Sequence, residues 1–141
     1  MEKYDVGIIG GGPIGLACAI EAKKSKLTHV IWEKGVLVNS IFHFPTNMTF
    51  FSTSNLLEIG DVPFIAHGDK PTRREALEYY RRVWESWHLN TRLYEEVLTV
   101  AEDQEDLYLV KTDKSSYLCR YLILATGFFG NPTPTSSYTT S

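Results

Sequence analysis

The stretch VGIIGGGPIG, residues 6–15, decides the fold. An apolar run ends in glycines, and an apolar segment with helical character begins at Leu16. Gly10, Gly12 and Gly15 form the pattern GxGxxG, in which the first glycine permits a tight exit from a strand, the second leaves room for a pyrophosphate, and the third lets a helix pack closely on the strand. The stretch therefore predicts a strand, a dinucleotide-binding turn and a helix whose N-terminus faces the phosphates.

An acidic residue follows at the position where such a turn needs one. A helical segment and a second apolar strand, Thr28 to Trp32, lead to Glu33. A carboxylate at the tip of that strand can accept hydrogen bonds from both hydroxyls of an adenosine ribose, and it repels a 2′-phosphate. An ordinary βαβ unit with an incidental acid is the alternative. The strand, the glycines, the spacing and the acid together favour nucleotide binding.

Length and composition set limits on the function. The chain has 141 residues, which predicts one domain, and its 43% apolar and 22% charged residues are ordinary for a globular protein. With 14 basic against 17 acidic residues, it lacks the basic footprint of a nucleic-acid binder. Since no apolar run approaches the ~20 residues of a membrane span and no export signal begins the chain, we expect a cytoplasmic protein without nucleic-acid or membrane partners.

The cysteines and histidines do not form a recognisable chemical motif. Cys18 and Cys119 are far apart, so the sequence has no CxxC redox pair and no metal-ligand spacing. Both are interpreted as small apolar residues rather than reactive thiols. His43 and His67 lack a partner acid or cysteine at a useful spacing and are interpreted as surface or hydrogen-bonded histidines. No metal site is predicted.

The middle of the chain predicts a long loop and then a helix. Residues 34–62 are rich in Asn, Ser, Thr and Phe, and such a loop could wall a planar cofactor ring or simply cover its own aromatic side chains. Thr72 and Glu75 form a capping box, and the apolar residues after them return at helical spacing. This aromatic stripe predicts core packing rather than ligand stacking. A short strand, Thr91 to Leu93, is expected to extend a parallel sheet.

Three β-type runs then follow in succession, at residues 97–101, 107–112 and 117–124. The short polar gaps between them predict an antiparallel β-meander. The chain returns through a strand expected to be buried, Tyr121 to Leu124, which ends in Ala125, Thr126 and Gly127. In a doubly wound sheet this end lies at the same edge as the glycine turn, and its small residues let backbone approach a ligand.

These motifs together resemble a known class of flavoprotein. GGGPIGL, the Glu33–Lys34 pair, the meander and LILATGFFGNP are similar to the N-terminal part of the FAD-binding domain in flavoproteins with two dinucleotide-binding domains, such as thioredoxin reductases and flavin monooxygenases. The loop segments NSI at 39–41, FPT at 44–46, TFFS at 49–52 and LEIGDV at 57–62 resemble the bacillithiol disulfide reductases, also called bacilliredoxin reductases. The fold class implied is α/β, an incomplete Rossmann-like FAD-binding domain with a parallel sheet and a β-meander insertion.

The resemblance also implies cofactors, partners and boundaries. It implies bound FAD, an NADPH-binding domain elsewhere in the complete protein, and electron flow to a low-molecular-weight or protein disulfide. Residues 1–132 form the matching portion, and residues 133–141 are expected to be a disordered tail because they carry no apolar pattern. The sequence does not decide whether the protein is a homo-oligomer.

The site residues implied by the resemblance surround FAD from end to end. Backbone groups of the glycine turn would hold the pyrophosphate, Glu33 the adenosine ribose, and Lys34 the adenine-side rim. Relatives often carry cysteine at the position of Ile14, and no residue is assigned a catalytic role. The full implied set is Gly10, Gly12, Pro13, Ile14 and Gly15 at the pyrophosphate, Asn39, Ser40 and Thr49 along the ribityl and ring side, the Val97 backbone at adenine, and Ala125, Thr126 and Gly127 beneath the pyrophosphate.

Three interpretations remain open from the sequence. The chain is the FAD-binding part of an NAD(P)H-dependent disulfide reductase, the same part of a flavin monooxygenase, or a non-enzymatic nucleotide-binding remnant. The sequence carries one GxGxxG turn and no CxxC. We therefore expect the 141-residue chain by itself to show no NADPH oxidation.

Overall fold

The computed structural model describes residues 1–39, 57–68, 70–103 and 105–126. Within these residues the chain forms a sheet with helices packed against it. The glycine turn joins the first strand to the first helix, as the sequence predicts. The elements, in chain order, are β1 (Glu2–Ile9), α1 (Pro13–Lys24), β2 (His29–Glu33), α2 (Arg73–Trp87), β3 (Thr91–Leu93), β4 (Val97–Glu102), β5 (Tyr108–Thr112) and β6 (Ser116–Leu124).

The six strands form one sheet in the order β3-β2-β1-β6-β5-β4. The pairs β3–β2, β2–β1 and β1–β6 are parallel. The pairs β6–β5 and β5–β4 are antiparallel. The third meander strand and the returning strand are a single element, because β6 pairs with both β5 and β1. This arrangement confirms the predicted α/β Rossmann-like fold with a β-meander.

The expectation that residues 121–124 form a buried strand is wrong. Tyr121 is 54% exposed and Leu124 is 59% exposed. The reason lies in the pairing, because β5 follows β6 only as far as Cys119, which lies opposite Tyr108. Beyond that point β1 is the only strand among the described residues that pairs with β6, so the other side of β6 forms an edge of the sheet.

Helix α2 begins and packs as its sequence predicts. The Glu75 backbone N–H donates to Thr72 Oγ1 at 3.2 Å, and the Thr72 N–H donates to Glu75 Oε1 at 2.9 Å, which completes the capping box. Tyr79 and Tyr80 are buried, and the Tyr79 hydroxyl donates to the Val62 carbonyl at 2.6 Å. The aromatic stripe therefore belongs to the core, as expected.

The core has two parts. One lies between the sheet and the two helices and includes Ile8, Leu16, Ile31 and Val83. The other joins the remaining side chains of the central strands to the meander and includes Trp32, Val97, Val100, Val110, Tyr117 and Cys119. The two parts together fix the meander and the helices to the strands that carry the glycine turn.

A buried histidine should make stability depend on pH. His29 is 7% exposed, and its Nε2 accepts the Asn90 backbone N–H at 2.9 Å, which requires the neutral ring. Burial, and then the charge of Lys23, lowers the pKa of His29 from its usual 6.5. As the pH falls from about 7 to about 5, the unfolded chain takes up a proton that the folded chain resists, so stability decreases. We expect urea unfolding to show a smaller loss for His29→Gln than for the parent.

The control for that experiment is His88→Gln, because His88 is exposed at the end of α2. It should lose as much stability over the same pH range as the parent. An equal loss in the His29→Gln variant would contradict the assignment of the effect to His29.

Candidate functional site

The glycine turn joins β1 to α1 in a conformation that its first glycine makes possible. Gly10 has φ +116°, a region that side-chain-bearing residues rarely adopt, and its N–H donates to the Trp32 carbonyl at 2.8 Å. A Cβ at Gly10 would meet the Ala125 carbonyl oxygen at 2.5 Å. The turn is thus pressed between the ends of β2 and β6.

The two later glycines have different roles. A Cβ at Gly15 would overlap the Gly10 carbonyl oxygen, so Gly15 is required by the packing of α1 on the turn. A Cβ at Gly12 would meet no atom of the described residues within 4 Å. Gly12 has ordinary extended dihedral angles, φ −84° and ψ −173°, and precedes the first residue of α1. Neither the backbone nor the described neighbours of Gly12 require a glycine, and no residue that the structure describes fills the space in front of it.

The N-terminus of α1 is suited to a negatively charged group. Gly12 provides no side-chain hydrogen bond to the first turn, and that turn contains no acidic residue. The first backbone N–H groups of a helix have no partner within the helix, and they carry the positive end of its dipole. Ile14, in this first turn, is 66% exposed.

Glu33 is the last residue of β2, and its carboxylate is held from two sides. Oε1 accepts the Gly11 N–H at 2.8 Å, and Oε2 accepts the Gly35 N–H at 2.7 Å. The residue is 7% exposed. Since an ionised carboxylate offers about four acceptor positions, each oxygen can accept one further hydrogen bond. The carboxylate is therefore oriented by the backbone and still able to bind hydroxyl groups.

The segment after β2 folds back onto the glycine turn. The Val38 N–H donates to the Gly11 carbonyl at 2.9 Å, and Val38 is 2% exposed. Its φ of +47° is unusual for a β-branched residue, so the surrounding packing must hold it there. Asn39 is half-buried, and its Oδ1 accepts the Val36 N–H at 3.4 Å.

The end of β6 reaches the same turn, as the sequence predicts. The Ala125 N–H donates to the Ile9 carbonyl at 2.8 Å, and Ala125 is 6% exposed, whereas Thr126 is exposed. The structure thus brings together Gly10, Gly12 and Glu33 with Ala125.

The other residues of the implied set have more varied positions. Lys34 is exposed and adjacent to Glu33. Val97 is buried at 3% exposure and lies opposite Thr112 in the meander. Ser40, Thr49 and Gly127 lie outside the described residues, as do Phe42, His43, Phe44, Phe50 and Phe51 of the loop and the tail at 133–141.

Sequence reasoning missed three residues that shape the site, namely Gly11, Gly35 and Val38. Gly11 and Gly35 donate the two hydrogen bonds that hold the Glu33 carboxylate. The Val38 N–H donates to the Gly11 carbonyl and so fixes the segment after β2 to the glycine turn. Gly11 stands inside a motif in which it is a variable position. Backbone donors leave no signature in residue type, and this explains why the pattern did not single them out.

A groove of about 990 Å³ runs along the flank of α1 beside the edge of β6. Among the implied site residues that the structure describes, only Ile14 lines it, so the groove is separate from the carboxylate of Glu33. Cys18 also lines it. Burial raises the pKa of Cys18, and it raises the pKa of Cys119 to about 11, so neither thiol is activated.

The described residues contain neither a cluster of metal ligands nor a membrane-spanning helix. Among residues 1–39, 57–68, 70–103 and 105–126, His, Cys, Asp and Glu form no group able to hold a metal ion. In the same part of the chain, neither helix is long and apolar enough to span a membrane.

Comparison with known proteins identifies relatives over nearly the whole chain. The family model described as "pyridine nucleotide-disulphide oxidoreductase" matches residues 7–137. Bacilliredoxin reductase Bdr of Bacillus subtilis (strain 168) is 44% identical over 125 residues, which cover 89% of this chain and 39% of that protein.

Solved structures give the same result. Bacillithiol disulfide reductase Bdr (YpdA) from Staphylococcus aureus superposes with a TM-score of 0.90 at 46% identity, covering 96% of this chain and 42% of that one. A flavin-containing monooxygenase from Stenotrophomonas maltophilia gives a TM-score of 0.87 at 27% identity, covering 96% of this chain and 42% of that one. The chain thus spans about two-fifths of the length of these relatives.

Proposed function

Because this chain belongs to the pyridine nucleotide-disulphide oxidoreductase family, we propose that it is the FAD-binding part of an NAD(P)H-dependent flavin oxidoreductase that reduces disulfides. The disulfide would be of the bacillithiol type, which the similarity to the bacillithiol disulfide reductase from Staphylococcus aureus supports. NADPH would bind to a part of the complete protein other than the residues described above.

The observation that carries the proposal is a carboxylate presented beside an open helix N-terminus. Glu33 is oriented by two backbone N–H groups and keeps acceptor capacity on both oxygens. In front of Gly12 lies a space that none of the described neighbours fills. A pyrophosphate at Gly12 and a ribose at Glu33 would match the adenosine diphosphate half of FAD, so the residues present fit the cofactor.

Each group in the site would act by binding and orientation. The N-terminus of α1 would stabilise the negative charge of the pyrophosphate without a lysine. Glu33 would accept hydrogen bonds from the ribose hydroxyls, and its negative charge would disfavour a phosphorylated ribose. When bound, FAD supplies the hydride and electron transfer, and the protein supplies orientation and electrostatics.

The remaining contacts follow the resemblance. Lys34 would border the adenine side, and the Val97 backbone would approach adenine from the meander. The other proposed contacts are Pro13 and Ile14 in the first turn of α1, Asn39, Ser40 and Thr49 on the ribityl and ring side, and Ala125, Thr126 and Gly127 beneath the pyrophosphate.

A flavin monooxygenase is the second candidate, because the flavin-containing monooxygenase from Stenotrophomonas maltophilia superposes closely on this chain. The sequence identity to the two reductases is much higher, and this supports disulfide reduction as the first proposal. The two candidates share the FAD-binding part and differ in what the reduced flavin reacts with.

Ligand titration tests the cofactor. The protein expressed from its complete reading frame, freed of bound flavin, is titrated with FAD, ADP-ribose and FMN, with binding followed by calorimetry. We expect FAD and ADP-ribose to bind and FMN to bind far more weakly, because the described groups recognise the adenosine diphosphate half. Binding of FMN alone, or of none of the three ligands, would overturn the proposal.

The reaction is tested on the protein expressed from its complete reading frame. With NADPH and oxidised bacillithiol, we expect NADPH absorbance to fall at a rate that depends on the disulfide. If NADPH were consumed only with oxygen and an oxidisable organic substrate, the monooxygenase would be the correct assignment.

A further inference from the structure

Tyr94 is an exposed aromatic residue in an unusual backbone conformation. It follows β3 directly, is 59% exposed, and has a φ of +55°. A bulky residue in the left-handed region carries a conformational cost, and such residues occur preferentially at functional sites. No position in the core explains Tyr94, because its side chain is largely in solvent.

The backbone around Tyr94 is tied to the segment that orients the Glu33 carboxylate. The Tyr94 N–H donates to the Gly35 carbonyl at 3.2 Å, and the Glu95 N–H donates to the Glu33 carbonyl at 3.0 Å. Gly35 in turn donates its N–H to Glu33 Oε2. Tyr94 is thus separated from the carboxylate by one residue's backbone.

The two carboxylate oxygens of Glu33 define two sides of the site. Oε1 is held by Gly11, in the glycine turn, and Oε2 is held by Gly35, to which Tyr94 is bonded. In an adenosine diphosphate group the ribose lies between the pyrophosphate and the base. If the pyrophosphate lies at the glycine turn and the ribose at Glu33, the base lies on the Gly35 side. That side carries Tyr94.

We propose that the Tyr94 ring stacks against the adenine of the bound cofactor, in addition to the contacts proposed above for Lys34 and the Val97 backbone. This inference rests on the proposed function, because it requires an adenosine diphosphate group at Glu33. A phenol ring offers a flat apolar face to the base, and stacking of one base on one aromatic ring strengthens binding about 5- to 150-fold. Neighbouring Lys34 and Gly35 provide no comparable surface, since one has a flexible charged side chain and the other has none.

The test measures ADP-ribose binding by calorimetry in variants at this position. Tyr94→Asn removes the ring, and asparagine tolerates the left-handed conformation, so the fold should be retained. We expect Tyr94→Asn to weaken ADP-ribose binding by at least about fivefold, and Tyr94→Phe, which keeps the ring, to bind as the parent does. Urea unfolding of Tyr94→Asn should give a free energy close to the parent value.

Tyr121→Asn is the matched control, because Tyr121 is a similarly exposed tyrosine on the edge of β6. It should bind ADP-ribose as the parent does. If Tyr94→Asn binds ADP-ribose as the parent does, the inference is overturned and the proposed FAD site is unaffected. If Tyr94→Phe weakens binding as much as Tyr94→Asn does, the inference is also overturned, because the hydroxyl and not the ring would be responsible. Failure of the parent chain itself to bind ADP-ribose would overturn the proposed function, and this inference with it.

Discussion

The Gly12→Val variant is expected to lose detectable binding of FAD and ADP-ribose while its fold remains intact. The backbone at Gly12 is in an extended conformation that any residue can adopt, and a Cβ there meets no atom within 4 Å in the part of the chain that the structure describes. The valine would therefore enter the space proposed for the pyrophosphate, not the core. Calorimetric titration and urea unfolding of the same sample measure the two effects. The free energy of unfolding should change by about 1 kcal/mol or less, mainly because valine is a poor residue at a helix N-cap.

Two further variants separate the ligand from the fold. In Gly12→Thr the new side chain has the shape of valine but adds an oxygen that can accept a hydrogen bond from the helix N-terminus. This variant should block the ligand without the loss of stability that valine causes at the N-cap. Gly15→Ala should instead destabilise the protein, because its Cβ would overlap the Gly10 carbonyl oxygen. If Gly12→Thr unfolds as readily as Gly15→Ala, the glycine at position 12 is structural and its assignment to the pyrophosphate is wrong.

Most of the fold could be predicted because its signals are local. The glycine turn has a fixed spacing, the start of α2 has a capping box, and the short polar gaps near residues 103–107 and 113–115 mark hairpins. The predicted boundaries of β3 agree with the structure, and those of the other strands differ by a few residues. Each signal operates within a few residues and does not depend on the rest of the chain.

The exposure of β6 could not be predicted because it depends on which strand ends first. The run from Tyr121 to Leu124 reads as a buried strand, yet β5 stops pairing at Cys119 and leaves its outer edge free. Neither the run nor its neighbours in sequence carry a sign of that ending. An apolar run predicts the type of secondary structure. Its burial depends on how far the neighbouring strands pair with it.

The site divides in the same way. The spacing alone singles out Gly12 and Glu33, whose residue types suit a phosphate and a ribose, and the structure places both at the glycine turn. The groups that hold Glu33 in place are backbone N–H groups of Gly11 and Gly35, which any residue possesses. Tyr94 lies about 60 residues after Glu33 in the chain. The pairing of β3 with β2 brings the two residues close together in space.

Glu33→Gln should lower both nucleotide affinity and stability, although the substitution nearly preserves shape. Both carboxylate oxygens accept a backbone N–H, one from Gly11 and one from Gly35. A carboxamide has one oxygen, so its NH₂ group must face one of these two donors and leave that donor without an acceptor. Glu33 is only 7% exposed, so water does not readily replace the lost acceptor. An unsatisfied buried donor costs about 1 to 3 kcal/mol, which is the expected loss in the free energy of unfolding.

The affinity should fall for a related reason. The amide has lost the charge that strengthens hydrogen bonds from the ribose hydroxyls, and each such bond to a charged acceptor contributes about 1.5 to 3 kcal/mol. We therefore expect ADP-ribose binding, measured by calorimetry at a temperature where the variant is fully folded, to weaken by at least about tenfold. Glu95→Gln is the matched control, because Glu95 is also a buried glutamate. A single oxygen of Glu95, Oε2, accepts the hydrogen bonds from the Thr112 and Tyr117 hydroxyls. The oxygen of an amide can accept the same two bonds. A Glu33→Gln variant that loses stability yet binds ADP-ribose as tightly as Glu95→Gln would mean that the carboxylate organises the turn and does not hold the ribose.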